Sequence, residues 1–208
     1  MKTKTNVQSL LAIILLTICY PATLVQAADL GKLTTTCEEC HGKDGVSNEP
    51  KIPTIAGMSA TYITDSIAAY LDESRPCDDV KIPAGERKGE TSNMCKSVEK
   101  LSEEETDQLA EHYAGKSFVR AKQKFDAGLA ETGKGIHDLN CKKCHEDGGS
   151  SPDDDAGFLA GQWMPYLEDQ FEEYSEGKRV QPKKMKPKIE KLSKDDIKAL
   201  LHYYASFQ

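Results

Sequence analysis

Cys37-Glu-Glu-Cys40-His41 and Cys141-Lys-Lys-Cys144-His145 are two copies of one pattern, Cys-x-x-Cys-His. This is the attachment signature of haem c. Two thiols at this spacing add across the haem vinyl groups. The adjoining histidine is then held beneath the iron as its proximal ligand. Cys37, Cys40, Cys141 and Cys144 are therefore expected to bind two haem c groups covalently, with His41 and His145 on the irons. A structural zinc site or a redox-active dithiol is the competing reading of three such residues.

The repeat extends well beyond the motif. An offset of 104 aligns Cys37 with Cys141, Ile55-Ala56-Gly57 with Leu159-Ala160-Gly161, Tyr62 with Tyr166, Asp65 with Asp169, Tyr70 with Tyr174 and Arg75 with Arg179. Past Arg75 the offset falls to 91, aligning Met94 with Met185, Leu101-Ser102 with Leu192-Ser193, Leu109 with Leu200 and Tyr113-Ala114 with Tyr204-Ala205. The first copy thus carries 13 additional residues between Arg75 and Met94. A repeat of this length is a duplicated small domain and not a solenoid unit. The pattern predicts an all-α chain. Each copy has a short helix leading into the motif, a middle helix (60–73; 164–175), a loop holding the methionine and a last helix (103–114; 194–207). Ser102-Glu-Glu-Glu105 has the form of a capping box, and Ser193-Lys-Asp-Asp196 is close to it. Leu109 and Tyr113 lie four apart on one helix face, as do Leu200 and Tyr204, and read as core. Neither copy shows a strand pattern. The expected domains are 28–115 and 116–208, with residues 126–140 as the leading helix of the second.

A His–Met iron is the low-spin electron-transfer arrangement. Met94 and Met185 recur at corresponding positions, whereas Met58 aligns with Gln162 and Met164 with Ala60. A ligand needed by both copies should recur, so Met94 and Met185 are the expected sixth ligands; the alternative is ordinary core or surface methionine. His112, His137 and His202 do not recur and read as surface or capping residues. Cys77 and Cys95 bracket the additional segment and have no counterpart in the second copy. In an exported chain they most simply form a disulfide. A reactive pair, or Cys95 as an iron ligand, is the other possibility.

Residues 1–27 have the form of a secretory signal peptide. Lys2 and Lys4 precede the apolar run Leu10 to Ile18, and Val25-Gln26-Ala27 offers small residues for cleavage. Cys19 lies within this segment, after an Ile18 too large for a lipoprotein signal. The expected location is the periplasm, with no membrane span in the mature chain. Loss of the leader takes the formal charge from −7 to −9. That excludes nucleic acid and anionic membranes as favoured partners. Residues 28–115 hold 9 basic and 18 acidic side chains, and residues 116–208 hold 16 of each. In the second half Lys178, Arg179, Lys183, Lys184, Lys186, Lys188 and Lys191 surround Met185, as a solvated face or as a docking surface at a haem edge. No acid–base constellation is evident, so no residue is assigned as catalytic.

The repeated motif, the Ala-Gly-x-x-x-x-Tyr segment and the late methionine resemble the diheme class I cytochromes c of the c-four type. The second half more closely resembles the cytochrome subunit of flavocytochrome c sulfide dehydrogenase. The residues that carry this are Lys124-Phe125-Asp126, Leu129-Ala130-Glu131-Thr132-Gly133, Cys141 to Gly149, Leu159-Ala160-Gly161-Gln162-Trp163, Pro165-Tyr166-Leu167 and Lys183-Lys184-Met185. The resemblance implies two tandem class I cytochrome c domains, each wrapped round a covalent haem, working in one-electron transfer. It implies redox proteins as partners: a flavoprotein that oxidises sulfide and, for a free carrier, a terminal oxidase. A haem enzyme, such as a thiosulfate dehydrogenase or peroxidase, and a haem-based sensor are the alternatives, and the enzyme would need an open or unusual sixth position. The Cys77–Cys95 segment departs from the subunit's pattern. Class I domains often place a proline carbonyl on the proximal histidine; Pro53 fits this in copy one, and Gly157 stands at the aligned position in copy two.

Overall fold

The computed structural model describes residues 29–208. The leader expected over 1–27, with Cys19, lies outside the described residues. The elements are α1 (Leu30–His41), α2 (Ala60–Leu71), β1 (Val80–Lys81), β2 (Thr91–Ser92), α3 (Met94–Val98), α4 (Glu103–Ala114), α5 (Ala127–Asn140), α6 (Met164–Ser175), α7 (Lys186–Ile189) and α8 (Lys194–Ala205). The order α1–α4 is repeated by α5–α8, with the short α3 and α7 beginning at or just after the two recurrent methionines. No helix among the described residues is long and apolar enough to cross a membrane.

Helix starts follow their local chemistry. Asp29, Ser59, Asp126 and Ser193 cap α1, α2, α5 and α8 through side-chain oxygens. Ser102–Glu105 and Ser193–Asp196 are complete capping boxes, each closing orphan N–H groups reciprocally. The middle helix of the first copy stops at Leu71, two residues short of its expected end. Glu73 takes a positive φ of 58° and Ser74 N–H donates to Asp72 Oδ1 instead of continuing the ladder.

Each copy has its own core. Met58, Ile63, Ile67, Val98, Leu109, Ala110 and Tyr113 form the first, joined by Phe158 from the second copy, whose ring meets Phe118 edge-on at 4.7 Å. Tyr166, Leu167, Phe171, Ile189, Leu200, Leu201 and Tyr204 form the second. Two glycine contacts show that the copies share one architecture. Gly57 N–H donates to Tyr113 O at 2.8 Å, and Gly161 N–H donates to Tyr204 O at 2.8 Å. Both glycines have a left-handed φ, 77° and 82°, which a side chain would strain.

The additional segment is not irregular. Val80 pairs with Ser92 and Lys81 with Thr91 in an antiparallel hairpin. Two-residue strands are too short to display a period-2 pattern, so the sequence shows no strand there. A disulfide between Cys77 and Cys95, with Cα atoms 5.8 Å apart, closes its base. His137, expected at the surface, is 1% exposed; its Nδ1 lies 3.1 Å from the Tyr204 hydroxyl, which supplies the partner that allows burial. Replacing Cys77 and Cys95 together by serine should lower the unfolding free energy by about 3 kcal/mol, from the entropy of the opened loop. Urea unfolding of the cofactor-loaded protein measures this, and non-reducing peptide maps should recover the two cysteines joined.

Candidate haem-attachment sites

The first motif occupies the last turn of α1, where positions 37, 40 and 41 fall on one face. His41 is 7% exposed and its Nδ1 lies 2.9 Å from the carbonyl oxygen of Pro53. A carbonyl only accepts, so Nδ1 carries the proton and Nε2 keeps its lone pair for a metal. Burial pushes the imidazole pKa down against the opposing Pro53 bond, and the nearby Arg75 charge adds to the fall. The ring is thus neutral, as a ligand must be. Burial also drives the Cys37 thiol up to about 11 and raises that of Cys40. Redox-active dithiols have depressed values, so this environment does not suit a dithiol exchanger. Cys37 and Met94 pack against the same apolar cluster, from α1 and from the start of α3. Met94 is held there by Asn93, which caps α3 by accepting from Lys96 N–H at 3.0 Å, and by the neighbouring disulfide.

The second motif sits just beyond a helix end. α5 stops at Asn140, and Cys141–His145 form a turn in which Cys144 N–H and His145 N–H donate to Cys141 O. Cys141 is half-buried and Cys144 exposed. Burial raises the Cys141 thiol and lowers the His145 imidazole. His145 Nδ1 is buried without a hydrogen-bond partner. A side chain at Gly157 would meet the Tyr62 hydroxyl at 2.5 Å, so the first copy's tyrosine fills the space that a proline ring would need there. Met185 immediately precedes α7 and packs against the second cluster.

The chemistry of the donors fits haem. Each copy offers two thiols, a neutral imidazole and a thioether near one apolar cluster. Arg75 is 4% exposed, and among the described residues no carboxylate pairs with it. A buried, unpaired guanidinium is costly, and the propionates of haem are anions of the kind that would balance it. The recurrence of Arg75 and Arg179 was a signal of such a role, since each also stacks over its own tyrosine, Tyr70 and Tyr174, at 4.6 Å.

Over 80 residues, 38% of its length, the chain is 36% identical to cytochrome c-554(548) of Halomonas halodenitrificans, covering 82% of that protein. The chain belongs to the c-type cytochromes. No protein-family model matches it. It is 28% identical over 191 residues to cytochrome c4 of Stutzerimonas stutzeri, spanning 85% of this chain and 86% of that one. The crystal structure of reduced recombinant cytochrome c4 from Pseudomonas stutzeri superposes with a TM-score of 0.68 at 26% identity, over 86% of this chain and 96% of the other. The cytochrome therefore consists of two tandem class I domains and carries two covalent haem c groups.

The two halves of this cytochrome are bolted together beside His41. Gln162, fully buried, accepts from Thr54 N–H at 3.0 Å and donates to Thr54 O at 2.9 Å. Trp163 Nε1 donates to Ser47 O, and Tyr166 N–H to Pro50 O. Arg75 donates to the Tyr166 hydroxyl and to Gln170. Sequence reasoning missed Gln162, because it does not recur: Met58 stands at its aligned position. Gln162→Leu leaves two backbone groups of Thr54 unpaired, each costing about 1–3 kcal/mol. The variant should melt earlier and should shift the potential of the first haem, next to Pro53, while leaving the second unchanged; a redox titration resolves the two.

Proposed function

We propose that this diheme cytochrome is an exported electron-transfer protein in which Cys37 and Cys40 anchor the first haem and Cys141 and Cys144 the second. His41 with Met94, and His145 with Met185, would supply the iron ligands. One observation carries the reading: the Pro53 carbonyl fixes His41 as a neutral Nδ1–H imidazole, while Met94 and Cys37 share one apolar cluster. The bound group supplies an iron that cycles between ferrous and ferric. The protein's part is to hold both axial ligands still, so that neither is exchanged when the charge changes. The Pro53 bond orients the imidazole, the capped α3 and its disulfide restrain Met94, and the two apolar clusters exclude water. No proton is taken up in such a step.

The domains run over 28–115 and 116–208, behind a leader at 1–27 that directs the chain to the periplasm. The Cys77–Cys95 disulfide supports that location, since such bonds persist in oxidising compartments. The physiological donor we propose is a flavoprotein sulfide dehydrogenase, served either as its cytochrome subunit or as a free carrier. This rests on the likeness of the segments 124–126, 129–133, 141–149, 159–163, 165–167 and 183–185 to that enzyme's cytochrome. Mixing the purified oxidised cytochrome with sulfide and such a flavoprotein should reduce both haems; reduction by sulfide no faster with the flavoprotein than without it would sink this donor.

The denatured protein should keep haem stain on a gel, with a mass two haems above the polypeptide. Met94→Ala and Met185→Ala should each lower the potential of one haem, on the order of 0.1–0.3 V within the range that axial ligation commands. Each should also admit carbon monoxide at that haem only. An unchanged spectrum in either variant would mean that its methionine is not a ligand.

A further inference from the structure

The hairpin lies over the first attachment segment. Its tip reaches Glu39, the residue between Cys37 and Cys40. Ala84 N–H donates to Glu39 O at 3.2 Å, satisfying a carbonyl that a helix end leaves orphaned. Arg87 donates to the Glu39 carboxylate from Nε at 2.6 Å and from its backbone N–H at 3.3 Å. Gly85, with φ of 76°, packs its bare Cα against the Glu39 side chain, where a Cβ would collide. Glu39 is consequently 7% exposed and Cys40 half-buried.

The second segment is the reverse in each respect. It has no hairpin, and Cys144 is exposed. Lys142 and Lys143 stand where the first copy has Glu38 and Glu39, and both are exposed. Lys188, on α7, lies close enough to Cys141 to influence its thiol. Lys183, Lys184 and Lys188 are exposed and, among the described residues, pair with no carboxylate. The two most exposed large apolar side chains belong to the same half: Leu139, 80% exposed and two residues before Cys141, and Val180, 70% exposed.

We infer that the hairpin closes the first attachment edge to protein partners, and that the cytochrome exchanges electrons with an acidic redox protein at the second, lysine-bearing edge. The inference rests on the electron-transfer reading above. Tunnelling falls off steeply with separation, so a partner must reach an uncovered edge. The unpaired lysines of that half, with Lys142 and Lys143 inside the motif and Lys188 near Cys141, attract a negative surface and orient it, chiefly raising the encounter rate. Leu139 beside them is suited to the dry centre of a small, transient contact. In the step itself one electron leaves the reduced cytochrome and a one-electron acceptor protein takes it; no bond forms and no proton moves.

The test uses the holoprotein, reduced, against an oxidised acidic blue-copper protein in stopped flow at several ionic strengths. Lys184→Glu with Lys188→Glu should slow oxidation about 10-fold or more at low salt and flatten its salt dependence. Lys43→Glu with Lys88→Glu makes the same charge change beside the closed edge and should slow it less than about 2-fold. Hydrogen exchange of the wild-type cytochrome with the reduced blue-copper protein needs no variant. It should show protection at 139–145 and none at 84–88. Equal slowing by both variants, or protection at the hairpin tip, overturns the inference. Oxidation by hexacyanoferrate(III) separates the two levels: if that small oxidant also fails to take electrons from the reduced protein, it is the electron-transfer reading that falls.

Discussion

The side-chain amide of Gln162 bonds both backbone groups of one residue, Thr54, in a fully buried position. Thr54 follows Pro53, whose carbonyl receives His41 Nδ1–H. Thr54 Oγ1 in turn accepts from Ser47 N–H, and Ser47 O receives the Trp163 indole. The loop that orients the first histidine is therefore built partly by the second domain. An amide buried in this way costs several kcal/mol unless every group is paired, so its geometry tolerates little displacement. Few arrangements of the two domains satisfy it, and the one seen orients His41 as well as fixing the interface.

The duplication supplies a symmetric frame, and function is written in the departures from it. Gly57 and Gly161 hold the last helices in the same way, and Arg75 and Arg179 stack on equivalent tyrosines. Yet Arg75 is buried and crosses to Tyr166 and Gln170, whereas Arg179 is only half-buried and bonds Gln170 within its own domain. Tyr62 takes the space beside Gly157, and among the described residues His145 Nδ1 has no hydrogen-bond partner where His41 has the Pro53 carbonyl. A carbonyl on the proximal ring raises ligand basicity. Two sites made from one template thus present different ligand fields.

Much of this was legible. The two motifs, the helix order and the recurrence of Met94 and Met185 follow from a single alignment of the chain with itself, because spacing and repetition are one-dimensional properties. Capping boxes at Ser102 and Ser193 were readable for the same reason. What was not legible depends on contacts between distant residues. The burial of His137 needs the Tyr204 hydroxyl, 67 positions away. The burial of Glu39 needs Arg87, and the hairpin that brings it has strands of two residues each, below any periodic signal. Gln162 looked like a break in the repeat and is instead the residue that joins its halves.

The hairpin's disulfide sets a requirement on how the molecule matures. Cys77 and Cys95 must together lose two electrons, while the four attachment cysteines must keep theirs until their sulfurs add to vinyl carbons. A Cys-x-x-Cys pair is itself easily oxidised, and thiolates attack disulfides. Six cysteines outside the leader can be joined in 15 ways as three bridges, none of which is the mature pattern of one bridge and four thioethers. Oxidation and haem attachment are thus competitors for the same sulfurs. Burial keeps Cys37 protonated once α1 has packed against Tyr113, and so out of that competition. Burial raises the thiols of Cys40 and Cys141 in the same direction, so the fold itself takes part in sorting the sulfurs.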